Sequence, residues 1–152
     1  AAEAEVLAGA VGLALHAVHL AGLLHRDVSP SNVVLAGDGH GGRRPVLVDF
    51  GLAREVEGTE AMTRMVTPGF APPEQYGGDD ARIGPSTDVY GLAATLYHLL
   101  TGDDPACHPL AFPQLDRLPP DIAALLRAGL QPDPSARPTA QALRDGLRAL
   151  IP

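Results

Sequence analysis

The chain has 152 residues, 45% of them apolar and 19% charged, with a formal charge of −7. That length buries one core and is short for two, and Trp is missing, so Leu, Val and Ala must build it. The negative balance argues against the basic face that binds a nucleic-acid duplex. All eleven basic residues are Arg, so any chemistry that needs a Lys cannot come from this chain. The one cysteine, Cys107, excludes an internal disulfide framework and a thiolate metal site, and suits a reducing, cytoplasmic setting. The chain begins at Ala1 without a basic n-region, which speaks against a signal peptide and for a piece of a longer protein.

Residues 3–22 are predicted to be a helix, with Val6, Leu13, Ala17, Leu20 and Leu24 at helical spacing. Val6 to Leu24 carries no formal charge and has the length of a membrane span. Two His and three Gly lie within it, and a buried core helix is the expected outcome, with no membrane partner. Val33–Leu35 and Val46–Val48 are short β-branched runs flanking the Gly-rich stretch 36–42, which predicts a hairpin. Residues 51–85, rich in Gly and Pro, are predicted to be a long irregular segment of functional type.

A second helix is predicted over about 87–101, capped by Ser86 or Thr87 and ended by Gly102, with Val89, Leu92, Leu96, Leu99 and Leu100 as its apolar stripe. Residues 103–118 contain three Pro and are expected to be loop. Pro120 opens a short helix through Ile122, Leu125, Leu126 and Leu130. Thr139 opens the last, through Leu143, Leu147 and Leu150. The expected class is mainly α with a small β-hairpin (α+β), as one domain over 1–152.

Five short fragments recur in a fixed order. His25-Arg26-Asp27-Val28-Ser29-Pro30-Ser31-Asn32 follows the first helix, and Asp49-Phe50-Gly51 follows the second strand. Glu74, closing Pro72-Pro73-Glu74, comes 25 residues after Asp49; Asp88-Val89-Tyr90 opens the second helix, and Asp133 to Pro138 precedes the last. One such fragment is weak, and Asp27 or Asp49 alone would read as a turn carboxylate. Together they resemble the C-terminal lobe of a bacterial eukaryotic-like serine/threonine protein kinase. Residues Thr67 to Tyr76 look particularly like that branch.

The resemblance implies MgATP as cofactor and a protein Ser/Thr hydroxyl as acceptor. Asp27 is then the base that orients the hydroxyl and takes its proton. Asn32 and Asp49 hold Mg²⁺, which suits hard oxygen ligands completed by phosphate and water. Gly51 permits the turn after Asp49, and Val34 forms part of the adenine floor. His25 is expected to pack under Phe50 as a structural residue, and Thr67 to face Asp27. Glu74 and Arg137 are expected to form a buried pair, and Asp88 to accept backbone N–H groups of the catalytic loop. A carboxylate favoured by the helix dipole is the simpler account of Asp88, and both can hold. Arg26 would pair with an activation-loop phosphate, for which Thr59 and Thr63 are the candidate acceptors.

The chain departs from the family's pattern in several places. Ser29 stands where most members carry a Lys that contacts the transferred phosphate. Pro72 replaces the usual Ala and Ala93 a usual Gly, while 103–118 is short for a substrate-docking helix. No Lys is present to pair with the α- and β-phosphates or with a helix Glu, so the N-terminal lobe is expected to be missing from this chain and to belong to the parent protein. The chain alone is therefore expected to transfer phosphate negligibly and to expose apolar surface where the other lobe would sit. The alternative is a pseudokinase-type binding or scaffold module without catalysis.

Overall fold

A computed structural model describes residues 2–48, 54–55, 67–76 and 80–150. The order of elements is α1 (Ala2–Leu20), β1 (Leu23–Leu24), β2 (Val33–Gly37), β3 (Arg43–Leu47), β4 (Arg54–Glu55), α2 (Pro85–Thr101), α3 (Pro120–Gly129) and α4 (Ala140–Ala149). The predicted mainly helical α+β class is therefore the observed one. No described helix is long and apolar enough to cross a membrane.

Helix α2 is the centre of the molecule. Every residue from Thr87 to Tyr97 is buried, so its apolar surface is a full cylinder wider than the predicted stripe. Leu99 lies on the far end and is exposed. The helix starts earlier than predicted, at Pro85 with Gly84 as N-cap, because proline's fixed φ suits the first turn. Thr87 instead lies inside that turn, where its hydroxyl accepts the Gly84 N–H at 3.1 Å. Gly102 ends the helix at φ 72°, as its sequence position predicts. Around α2 stand α1, α3 and α4, sharing a core of Val11, Leu15, Leu92, Leu96, Leu126, Leu143 and Leu147. A Cβ at Gly129 on α3 would lie 2.8 Å from the Cβ of Ala93, so the extra methyl on α2 is matched by a missing one opposite.

The face of α1 differs from the expected one. Val11 and Leu15 are buried, whereas Leu13 and Leu20 are exposed. Apolar residues surround this helix, so its periodicity does not select a face; contact with α4 and α2 does.

Strands β2 and β3 form the predicted hairpin, antiparallel, with Val33 opposite Leu47 and Gly37 opposite Arg43. Its tip is tied by Asp38, whose Oδ1 accepts the His40 and Gly42 N–H groups and whose carboxyl is thereby held below the usual range. Past β3 the Val48 N–H donates to the Asn32 carbonyl at 2.8 Å, extending the ladder to the residue before Asp49. A second antiparallel pair joins β1 to β4. Residues 103–118 carry two 3₁₀ turns, Pro105–Cys107 and Leu115–Arg117. Tyr97 anchors this stretch, donating to Asp103 at 2.6 Å and accepting the Gln114 N–H at 3.1 Å.

Tyr90 Oη is the one buried side-chain polar atom among the described residues that has no hydrogen-bond partner. Burial pushes its pKa up to about 12, so the hydroxyl keeps its proton at neutral pH. An unmade buried bond costs about 1–3 kcal/mol, so Tyr90→Phe is expected to raise stability by about 1 kcal/mol. The urea midpoint checks this; a fall in the midpoint would show that the hydroxyl has a partner.

Candidate functional site

The segment 25–32 leaves β1 and enters β2 through the 3₁₀ turn Pro30–Asn32. Its shape is set from beneath by α2. Asp88 is fully buried and accepts three bonds: from His25 N at 2.9 Å, from Arg26 N at 2.7 Å, and from His19 Nε2 at 2.8 Å. Gly91 lets the helix come close, since a Cβ there would lie 2.7 Å from the Val28 carbonyl oxygen. Arg26 takes φ 71°, the left-handed region.

At the top of this segment stands Asp27. Its Oδ2 accepts Asn32 Nδ2 at 2.9 Å, and the same amide donates to the Asp27 carbonyl at 2.7 Å. Its Oδ1 accepts the Thr67 hydroxyl at 2.5 Å, across 40 residues of chain. Because Nδ2 of Asn32 is committed twice, its Oδ1 is the atom left for a cation, and a neutral oxygen donor fits Mg²⁺.

His25 is fully buried. The Asp27 N–H donates to its Nδ1 at 3.1 Å, which assigns the ring proton to Nε2, 2.8 Å from the Val48 carbonyl. Ser29 is fully buried too, with its hydroxyl 3.0 Å from that of Ser31. The position at which the family resemblance implies a Lys thus holds a neutral, inward group.

Below the site, Glu74 and Arg137 meet in a bidentate pair at 2.6 and 2.9 Å, with both side chains essentially unexposed. Thr87 donates to the same Glu74 at 3.0 Å. The Arg137 guanidinium also lies 5.0 Å from the centre of the Tyr90 ring.

The structure thus brings together Asp27, Asn32 and Thr67, joins Glu74 to Arg137, and sets Asp88 under His25 and Arg26. Val34 is half-exposed on the hairpin, opposite Val46. Asp49, Phe50, Gly51, Thr59 and Thr63 lie outside the described residues. Three participants are not evident from the sequence: His19, Thr87 and Gln75, whose side-chain amide donates to the Arg26 carbonyl at 3.0 Å. The cue for His19 is a lone polar residue in the last turn of an apolar helix; Gln75 leaves no cue.

Residues 1–146 match the protein kinase domain family model. The chain belongs to the protein kinase family. Among its relatives is a probable serine/threonine-protein kinase, PkwA, of Thermomonospora curvata, 34% identical over 148 residues that cover 89% of this chain and 19% of that protein. Serine/threonine-protein kinase PknK of Mycobacterium tuberculosis is 35% identical over 147 residues, covering 85% of this chain and 13% of the relative. PknF of the same species is 39% identical over 110 residues, covering 70% and 23%. The chain therefore spans about a fifth of the length of the curated relatives it matches, or less.

Proposed function

We propose that this chain is the C-terminal catalytic lobe of a serine/threonine protein kinase that moves the γ-phosphate of ATP to a protein hydroxyl. The observation that carries the reading is the Asp27 carboxylate, fixed by Asn32 on one oxygen and by Thr67 on the other. A carboxylate so held can orient an acceptor hydroxyl and take its proton as the bond to phosphorus forms. Asn32 would hold Mg²⁺ through Oδ1, with Asp49 as the second ligand; bound Mg²⁺ offsets charge on the nucleotide phosphates. Val34 would floor the adenine. A groove of about 410 Å³ beside Gly69 and Ala71, walled by Tyr76, Pro109 and Leu110, is where the acceptor polypeptide would lie. Gly69 on its wall lies two residues after Thr67 in the chain.

Buried Ser29 supplies no charge to the transferred group, so that load falls on Mg²⁺ and on residues outside this chain. The one G-x-G-x-x-G match, Gly37 to Gly42, forms the tip of the β2–β3 hairpin, and there is no Lys for the α- and β-phosphates, which supports a separate N-terminal lobe in the parent protein. We place the lobe in the cytoplasm, where ATP and a reduced Cys107 fit. The neutral Ser29 also gives the binding-module reading its one support.

The intact polypeptide, incubated with radiolabelled ATP, Mg²⁺ and a general Ser/Thr acceptor protein, is expected to label Ser or Thr. Chelation should abolish the labelling, and the 152-residue chain alone should label negligibly. No labelling by the intact polypeptide would favour the binding module.

A further inference from the structure

We propose that Gln75 is a positioning residue for phosphoryl transfer: its side-chain amide clamps the Arg26 carbonyl and so sets the direction of Asp27. This rests on the reading of Asp27 as the base. Arg26 sits at φ 71°, a region that residues with a Cβ avoid. A backbone of that kind persists only where its surroundings hold it.

Two side chains do so, one on each side of the Arg26 Cα. Asp88 Oδ1 accepts the Arg26 N–H at 2.7 Å and fixes the peptide plane before it. Gln75 Nε2 donates to the Arg26 carbonyl at 3.0 Å and fixes the plane after it. That second plane ends in the Asp27 N–H, which is bound to His25 Nδ1. With Gln75 removed, the plane loses this bond at its carbonyl end and is freer to rotate toward a relaxed φ. The Asp27 side chain would turn with it.

The clamp is well founded. Gln75 is buried, closes the 3₁₀ turn Pro73–Gln75, and donates its own N–H to the Pro72 carbonyl at 3.1 Å. Its neighbour Glu74 is locked by Arg137. The amide's orientation is dictated by its partner, since a carbonyl oxygen only accepts. The stretch 67–75 therefore grips the catalytic loop at both ends, Thr67 on the Asp27 carboxylate and Gln75 on the backbone before it.

Gln75→Glu in the intact polypeptide tests this, because an ionised carboxylate cannot donate to a carbonyl and a protonated one can. Relative to the unmodified protein, kcat is expected to fall about tenfold near pH 8, with the KM for MgATP within about twofold. The gap should narrow as the pH falls and the new carboxyl takes up a proton. A ratio of the two kcat values that does not change with pH overturns the proposal.

Gln75→Met keeps the volume without the donor and is read by amide hydrogen exchange at Asp27, which should quicken; unchanged exchange there overturns the clamp. If the unmodified protein transfers no phosphate and exchange still quickens, the kinase reading falls and the clamp stands.

Discussion

Asp27→Asn in the intact protein is expected to lower kcat for phosphoryl transfer by about 10²–10⁴-fold, the usual worth of a positioned general base. The substitution keeps the side chain's size and an oxygen for the Thr67 hydroxyl, which donates to Oδ1 at 2.5 Å. It removes the proposed acceptor of the substrate proton. It also sets a second amide nitrogen where the Oδ2 that accepts Asn32 Nδ2 now stands. The KM for MgATP should move little, because Asn32 keeps its bond to the Asp27 main-chain carbonyl and hence its orientation. Steady-state kinetics with an acceptor protein check this. Activity retained within a few fold would remove Asp27 from the chemistry.

The largest stability effect is expected at Arg137. Its guanidinium uses every donor it has: Nε to the Gln131 carbonyl at 2.7 Å, Nη1 to Glu74 and the Ser86 carbonyl, and Nη2 to Glu74 and the Pro132 carbonyl. Arg137→Met fills much of the space but strands the Glu74 carboxylate, which among the described residues would keep the Thr87 hydroxyl as its donor. Breaking one side of a buried ion pair costs about 3–5 kcal/mol. Loss of this order should appear as a lower urea midpoint, followed by exchange of the α2 amides. Adding Glu74→Gln to Arg137→Met should recover part of the loss, since the stranded charge is then gone. A double variant no better than the single would mean that the backbone carbonyls around Arg137, and not its ion pair, dominate.

Local chemistry explains what the sequence makes legible. Pro120, Thr139 and Gly102 mark helix ends because each acts within one turn. The hairpin follows from two β-branched runs around a Gly-rich tip. Asp27 and Asn32 lie five residues apart on one loop, so their meeting is a short-range matter as well. Contacts between distant stretches are harder. The buried face of α1 depends on α4, which lies over a hundred residues later in the chain. The pairing of β1 with β4 joins two-residue strands too short to show a period. Gln75 resembles any polar residue in a Pro-rich stretch until its amide is seen against a carbonyl 49 residues away. Glu74 and Arg137 are legible as partners only through the family resemblance, because 63 residues separate them.

One turn of α2 serves three masters. Thr87 reaches Glu74, Asp88 holds the backbone of the loop that carries Asp27, and Gly91 makes room for Val28. The loop that carries Asp27 and the segment ending at Glu74 consequently share an anchor on α2, in addition to the hold of Arg137 on Glu74. If the groove takes the acceptor as proposed, a change of acceptor would fall on its outer wall, at Pro109 and Leu110, and not on this turn.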